Sequence, residues 1–270
     1  MITCDLMGGL GNIMFQIAWL KSFAKDNKCR SYFHNINQLL VHLNTDQQHN
    51  PTLEHANEYL SIFKKLNLKE NLGVQSFNKK INYPFHYQTV LFQDNVCYNG
   101  FFQSEKYFEH NRSYILDIFQ PSAECENILK KYDDIISNNI TCSVHVRRGD
   151  YIKLSEKHTP QSIKYFNNAM QHIINNYVDK FIIFSDDIKW CKENITNKHC
   201  IFIENEKDYI ELFLQSRCTH NIISNSSFSW WGAWLNKNPN KMVIAPKRWF
   251  GSGDWGVNEK DVIPQAWLKM

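Results

Sequence analysis

The chain has 270 residues, a formal net charge of only +3, 43% hydrophobic and 14% aromatic residues. This length exceeds that of a usual single hydrophobic core, so we expect two domains. The basic residues are scattered along the chain, which argues against nucleic acid as the main partner and favours a local anionic site.

Eight cysteines occur without close pairing, and several lie in apolar, strand-like runs. These are expected to be buried thiols in a reducing compartment: Cys4, Cys97, Cys142 and Cys200. The start of the sequence shows no signal segment, and no stretch approaches the ~20 apolar residues of a membrane span. We therefore predict a cytoplasmic protein, one that could still work against a membrane surface by peripheral contact.

The N-terminal segment predicts a strand at residues 2–7, a glycine-rich turn at residues 8–12 and then a helix. The apolar face of that helix is spaced as Ile13, Ile17, Leu20 and Ala24. A glycine loop at a helix N-terminus can hold an anion, so Gly9, Gly11 and Asn12 are candidate ligand-binding residues. A tight turn that needs positive φ explains the glycines equally well.

The middle of the chain has fewer clear signals. Residues 30–95 have few clean periods, whereas residues 96–102 predict a strand and residues 103–108 open a helical stretch. Pro121 and Ser122 predict a boundary before one helix bearing Ile128, Leu129, Tyr132 and Ile135. We place the domain junction near residues 121–140 and divide the chain into residues 1–130 and 131–270.

The C-terminal half alternates regularly between strands and helices. The predicted strands cover residues 142–147, 181–184, 200–203, 221–224 and 242–245. Four helices are predicted between and after these strands. The first carries Phe166, Met170, Ile173 and Tyr177, and the second begins near Ile188. The third carries Tyr209, Leu212, Phe213 and Ser216, and the fourth begins near Ser227. Five strands alternating with helices predict a parallel sheet wound in βαβ units.

Two adjacent arginines follow the first of these strands, in a run that reads VHVRRGDY from residue 144. Arg147 and Arg148 fall at the carboxyl end of the strand, where open α/β sheets place their ligands. Each guanidinium can bind phosphate oxygens bidentately, so a phosphorylated ligand is the first hypothesis. The alternative is that both arginines pair internally with Asp150 and another acid.

His145 lies inside the same strand, two residues before Arg147, so both side chains are expected on one sheet face. A buried histidine is more often a core group than a catalyst, yet this position makes His145 a candidate catalytic residue. Asp150, Glu156 and His158 are candidate bases in or after the following loop, and the sequence does not rank them.

Polar segments follow the other strands too. They are Ser185-Asp186-Asp187, Asn225-Ser226-Ser227-Phe228-Ser229 and Lys247-Arg248. Because the carboxyl ends of parallel strands share one edge, residues distant in sequence can meet there in one cleft.

The serines between Asn225 and Ser229 could cap the next helix and, with its N–H groups, hold phosphate oxygens; capping alone is the simpler alternative. The tryptophans that follow, Trp230, Trp231 and Trp234, are expected in the core, with Gly232 and Ala233 allowing close packing.

The paired acids Asp186 and Asp187 invite a metal interpretation, but they can equally accept hydrogen bonds from a ribose or a base, or cap a helix. No His or Cys cluster has ligand spacing, so we expect no metal and no resident cofactor.

Five segments, in order along almost the whole chain, resemble the α-1,2-fucosyltransferases of glycosyltransferase family 11. They read GGLGNIMFQIA from residue 8, NGFFQSEKYF from residue 99, HVRRGDY from residue 145, FSDD from residue 184 and NIISNSSFSWWGAWL from residue 221. One departure lies before the last segment, where the family pattern has aspartate and methionine and this chain has Glu211 and Gln215.

The resemblance implies an α/β, GT-B-like architecture of two Rossmann-like domains with a cleft between them, an N-terminal acceptor side and a C-terminal donor side. It also implies GDP-β-L-fucose as donor, inversion at the anomeric carbon without a metal, and the 2-hydroxyl of a galactose-containing glycan as acceptor. It makes no prediction of oligomeric state.

By the same resemblance Arg147 contacts the donor diphosphate, with Arg148 either assisting or anchoring the loop through Asp150, and residues 226–229 complete the phosphate site. Two alternatives stay open: a related transferase with another nucleotide sugar or linkage, and a GDP-sugar-binding or glycan-binding module without turnover.

Overall fold

The computed structural model describes residues 1–33, 77–174, 178–251 and 258–270. Its contacts divide the chain into two compact units, one of Met1–Ser122 with Lys260–Val262 and one of Ala123–Glu259 with Ile263–Met270. The change of unit falls beside Pro121, within the junction expected from the turn residues. The division placed after residue 130 instead falls inside a 3₁₀ helix, Lys130–Tyr132, in the second unit.

The first unit contains a four-stranded parallel sheet. Its strands are β1 (Ile2–Cys4), β2 (Ser31–Tyr32), β3 (Lys79–Asn82) and β4 (Val96–Asn99), in the order β2-β1-β4-β3. Among the described residues of this unit, the α-helices are α1 (Leu10–Asp26) and α2 (Arg112–Ile118). The stretch predicted to open a helix forms a 3₁₀ turn at Glu105–Tyr107. The aromatic core centres on Trp19, which stacks on Phe102 with ring centroids 3.8 Å apart and meets Tyr98 edge-on at 5.2 Å.

The second unit contains a six-stranded parallel sheet in the order β10-β9-β8-β5-β6-β7. Its strands are β5 (Thr141–Val146), β6 (Lys180–Ser185), β7 (Cys200–Phe202), β8 (His220–Ile222), β9 (Val243–Ala245) and β10 (Leu268–Lys269). The predicted parallel strands are confirmed. The sixth strand, β10, pairs with β9 and is too short for any period to reveal it.

The helices of the second unit alternate with these strands. They are α3 (Ala123–Leu129), α4 (Asp133–Ser137), α5 (Gly149–Lys153), α6 (Ile163–Ile174), α7 (Ile188–Asn194), α8 (Asp208–Arg217) and α9 (Ser227–Leu235). The single helix predicted across Ile128 and Ile135 is wrong, because the 3₁₀ segment Lys130–Tyr132 separates α3 from α4. Tyr177, assigned to the helix that is now α6, lies outside the described residues.

The tryptophans of α9 form part of the core, as expected. Trp230, Trp231 and Trp234 are each at most 1% exposed. Gly232 lets α9 approach α8 closely, since a Cβ atom at this position would lie 2.8 Å from the Cβ atom of Gln215.

All eight cysteines are free thiols. Cys4, Cys97 and Cys142 are buried as predicted, whereas Cys200 is only half-buried. Among the residues that the structure describes, no helix combines the length and the apolar character needed to cross a membrane.

We expect Gly232→Ala to lower the free energy of unfolding by about 1–3 kcal/mol, because the added methyl group overpacks the contact with Gln215. In an unhindered helix the same change would be favourable by about 1 kcal/mol, so the sign of the effect tests the packing. Urea unfolding of both proteins measures it, and a more stable variant would contradict the close approach of α8 and α9.

Candidate functional site

Three polar segments meet at the carboxyl ends of adjacent strands in the second unit. Strand β5 is buried and pairs with β6 on one side and with β8 on the other. Arg147, after β5, lies 3.0 Å from Asp186, after β6, and the Tyr151 hydroxyl donates at 3.0 Å to the carbonyl oxygen of Asn225, after β8. The convergence predicted from the parallel sheet is therefore observed for these segments. Lys247 and Arg248, after β9, are exposed.

Arg147 pairs with two carboxylates. Its Nη2 atom lies 2.7 Å from Oδ1 of Asp150, and its Nη1 atom lies 3.0 Å from Oδ2 of Asp186. The guanidinium carbon also lies 5.4 Å from the centre of the Tyr151 ring. The internal pairing considered as an alternative is thus present, while the side chain is still 23% exposed at the sheet edge.

Arg148 is held by different partners. Its Nε atom donates to Oδ2 of Asp187 at 3.1 Å, its backbone N–H donates to Oδ1 of Asp186 at 2.9 Å, and its guanidinium stacks 3.8 Å from the ring centre of Trp190. The hypothesis that Arg148 anchors the loop through Asp150 is wrong, because Asp150 pairs with Arg147.

We call this set of charged residues the arginine cluster: Arg147, Arg148, Asp150, Asp186 and Asp187. Two cationic groups face three carboxylates, so the cations are neutralised within the protein. An anionic ligand that binds here has to compete with these carboxylates for the two cations.

Gly149 is required by its neighbour in this cluster. A Cβ atom at this position would lie 2.6 Å from Oδ2 of Asp186, the oxygen that pairs with Arg147. Any side chain at residue 149 would therefore push the Asp186 carboxylate away from its partner.

His145 is buried in β5, and its Nδ1 atom lies 3.0 Å from Oγ of Ser224. The Phe228 ring lies 5.3 Å away. Burial, and then the nearby charge of Arg147, lower the pKa of His145 to about 3. The imidazole is therefore neutral at physiological pH and a weak base, which favours a positioning role over proton transfer. Catalysis by His145 stays a prediction.

The Asn225 side chain holds two loops. Its Nδ2 atom donates to the carbonyl oxygens of Thr159 at 3.2 Å and Trp249 at 2.9 Å, and its Oδ1 atom accepts from Gln161 at 3.2 Å. These hydrogen bonds use both the amide nitrogen and the amide oxygen of Asn225. The side chain is therefore better suited to holding the loops around the site than to binding a ligand.

The sequence analysis allowed the serines at the start of α9 to cap that helix, but their side chains do not cap it. Ser226 occupies the N-cap position but makes no side-chain capping bond, and Ser229 donates inward to the carbonyl oxygens of Ser224 and Ser226. Ser227 and Phe228 are half-buried and form the more accessible part of this segment.

Asp187 caps α7, one of the alternatives considered for the paired acids. Its Oδ1 atom accepts from the backbone N–H of Trp190 at 3.2 Å, while Oδ2 holds Arg148. No group of three or more His, Cys, Asp or Glu within the described ranges has the arrangement of a metal site. The expectation that no metal is needed stays a prediction.

The N-terminal candidates belong to the first unit, whereas the other predicted site residues belong to the second. Gly8, with φ of +80°, is the residue that needs positive φ, and Gly9 has an ordinary φ of −74° at the N-cap of α1. Gly11 and Asn12 are already inside α1, where Asn12 Oδ1 accepts from Gln103 Nε2 at 2.6 Å.

The three candidate bases differ in environment: Asp150 lies in α5, and Glu156 and His158 lie in the loop after it. Asp150 is paired with Arg147, Glu156 is exposed, and the half-buried His158 stacks on Tyr151 with ring centroids 4.8 Å apart. Burial is the main cause that lowers the pKa of His158. Each therefore stays a candidate.

Two residues with unusual environments in the second unit were not predicted from the sequence. Burial, followed by the charges of Asp208, Asp186 and Glu206, raises the pKa of Glu211 to about 8. The only sequence signal for Glu211 was that an acid is retained at this place in the family pattern. Trp190 contacts Arg148, and nothing in the sequence around Trp190 indicates that partner.

The model of the family described as Glycosyl transferase family 11 matches residues 1–268. The chain is 30% identical to the O-antigen biosynthesis glycosyltransferase WbnK of Escherichia coli, across 100% of both proteins. It is also 30% identical to an alpha-1,2-colitosyltransferase of Escherichia coli, across 100% of this chain and 98% of that protein. A galactoside 2-alpha-L-fucosyltransferase of Caenorhabditis elegans is 27% identical across 63% of this chain and 51% of its own.

Two solved structures share the fold. POFUT1 in complex with GDP superposes with a TM-score of 0.53 at 12% identity, covering 90% of this chain and 97% of that one. The NodZ alpha-1,6-fucosyltransferase soaked with GDP-fucose has a TM-score of 0.50 at 11% identity, covering 87% and 92%. These likenesses confirm the predicted α/β, GT-B-like fold class with its parallel sheets.

We expect ionisation of Glu211 to lower the stability of the folded protein as the pH rises from about 4.5 to about 8. Its pKa in the folded state is raised above the ordinary value of 4.5, so the folded state binds a proton more tightly than the unfolded state within this window. Glu211→Gln removes this titration and should be more stable than the wild type above pH 8, by up to a few kcal/mol.

Urea unfolding at several pH values measures the difference between the two proteins. It should be smallest well below pH 4.5, where Glu211 is protonated in both states, and it should grow as the pH rises towards about 8. A difference that is constant between pH 4.5 and 8.5 would contradict the raised pKa.

Proposed function

The chain belongs to glycosyltransferase family 11, and we propose that it transfers L-fucose from GDP-β-L-fucose to the 2-hydroxyl of a galactoside in a glycan. In this proposal the anomeric carbon is inverted without a covalent intermediate, and no metal is needed. The names of a family relative and of two proteins of the same fold support it: a galactoside 2-alpha-L-fucosyltransferase, a complex with GDP and a fucosyltransferase soaked with GDP-fucose.

The observation that carries the proposal is the position of Arg147. It stands at the carboxyl end of the buried strand β5, between the polar segments after β6 and β8, and its guanidinium is partly exposed. Negative charge grows on the β-phosphate as the bond to fucose breaks, so a preorganised guanidinium stabilises the transition state more than the bound donor.

The carboxylates around Arg147 define how the donor would bind. We propose that the diphosphate replaces Asp150 or Asp186 as the partner of Arg147. Phosphate oxygens match the planar fork of a guanidinium as well as a carboxylate does, so this exchange can keep the cation paired. It would also release a carboxylate, which keeps Asp150 among the candidate bases that take the proton of the acceptor hydroxyl.

The remaining predicted contacts belong to the same proposal. Residues 226–229 at the start of α9 would add backbone N–H donors to the phosphate site, and Gly9, Gly11 and Asn12 stay candidate donor-binding residues. The N-terminal unit would then carry the acceptor and the C-terminal unit the donor. Cytoplasmic location and peripheral membrane contact stay predictions from the sequence.

One other donor is favoured by a specific observation. A relative that matches along the whole chain is named an alpha-1,2-colitosyltransferase. Colitose is the 3-deoxy counterpart of L-fucose, so both sugars suit similar pockets.

Calorimetry with GDP-fucose, GDP-mannose and UDP-galactose tests which nucleotide and which sugar the protein binds. Turnover with nucleotide-linked colitose tests the alternative donor. Release of GDP in the presence of a galactoside separates an enzyme from a binding module.

We expect Arg147→Ala to lower kcat for fucose transfer on the order of 10²–10³-fold, because one preorganised cationic donor to the leaving diphosphate is lost. Arg147→Lys keeps the charge but loses the planar fork, so it should also be impaired. Both are measured as GDP release with a galactoside acceptor.

A matched control is Lys198→Ala, which removes an exposed cation just before β7, at the opposite ends of the strands. It should transfer fucose at the wild-type rate. Near-normal transfer by folded Arg147→Ala would refute the role of Arg147.

A chelator should leave the transfer rate unchanged, because the guanidinium groups and helix N–H donors supply the positive charge that the leaving diphosphate needs. The rate is measured with and without excess EDTA, and then with added magnesium. Loss of activity that magnesium restores would overturn the metal-independent mechanism.

A further inference from the structure

We propose that Trp190 is a positioning residue for the donor diphosphate and acts through Arg148, an inference that rests on the proposed function. The observation behind it is a closed set of contacts among Arg148, Asp187 and Trp190, which we call the Arg148 clamp. It ties the residue next to Arg147 to the folded core.

The Arg148 clamp restrains Arg148 at its side chain. The indole of Trp190 covers one face of the guanidinium at 3.8 Å from the ring centre, and Asp187 accepts from Nε at 3.1 Å. Asp186 holds the backbone of the same residue by accepting its N–H at 2.9 Å. Arg148 is therefore fixed in both backbone position and guanidinium orientation.

The two partners of Arg148 also hold each other. Asp187 accepts from the backbone N–H of Trp190 at 3.2 Å, and its own N–H donates to Ser185 Oγ at 3.0 Å. The Trp190 side chain packs against the buried core of the second unit. The Trp190 ring thus connects the Arg148 guanidinium to the hydrophobic core and holds it in a fixed position.

This arrangement matters for donor binding because Arg147 immediately precedes Arg148. If the backbone of Arg148 is fixed, Arg147 can exchange Asp150 or Asp186 for phosphate by side-chain rotation alone. A guanidinium already oriented by stacking also loses less rotamer freedom when it meets an anion. Loss of the indole should therefore weaken donor binding more than it slows the chemical step.

The test is Trp190→Ala, with GDP affinity measured by calorimetry and with KM for GDP-fucose and kcat measured separately. Loss of a partly desolvated cation–π contact should raise the GDP dissociation constant and the donor KM on the order of tenfold. We expect kcat to change less. Trp190→Phe keeps an aromatic face and should restore most of the affinity.

A matched control is Phe202→Ala, which removes another half-buried ring from the same core, on strand β7. It should lower the melting temperature and leave the donor KM unchanged. Equal increases of KM in Trp190→Ala and Phe202→Ala would reduce Trp190 to a packing residue and overturn the inference.

A double variant tests whether Trp190 acts through Arg148. If it does, Trp190→Ala combined with Arg148→Ala should bind GDP as weakly as Arg148→Ala alone, whereas additive losses would overturn the inference. Wild-type protein that binds neither GDP nor GDP-fucose would overturn the proposed function and this inference together. Wild-type binding with an unchanged Trp190→Ala variant would overturn only the inference.

Discussion

The pairing of two guanidinium groups with three carboxylates is the interaction on which the site depends. It lets Arg147 and Arg148 stand at the edge of a buried sheet without an unpaired charge, because each cation has an acid from the next strand or from its own loop. The same pairing sets the condition for any anionic ligand, which has to compete with these carboxylates for the cations. Affinity for such a ligand is therefore a difference between two sets of good contacts.

The parallel sheet of the second unit makes this pairing available. Because β5 lies between β6 and β8, the segments after three strands are adjacent in space although they are distant in sequence. Burial on both sides of β5 fixes its register, and α9, whose tryptophans are buried, packs against α8. The rigid part of the fold thus ends where the polar residues begin, as is usual for ligand sites in α/β proteins.

The sequence predicted this framework better than it predicted the contacts. Regular alternation placed Arg147 and Arg148 after a buried strand and the paired acids after the next one. The sequence did not show whether Arg147 pairs with Asp150 or is left unpaired for a ligand, because the same residues are compatible with both arrangements. The side chains of Asn225 and Ser229 were predicted as ligand contacts, and both donate to backbone carbonyl oxygens. Asn225 reaches the distant residue Trp249, and Ser229 reaches Ser226 in the preceding turn. The stack of Trp190 on Arg148 joins two segments with no shared period, so only the folded chain reveals it.

The contact between Gly149 and Asp186 restricts which amino acids can replace these two residues among descendants of the protein. Position 149 admits no methyl group while the carboxylate occupies its present place, and the carboxylate has nowhere else to go while it serves both arginines. A side chain at residue 149 therefore requires a change at residue 186 as well. A library that randomises one of them should randomise both.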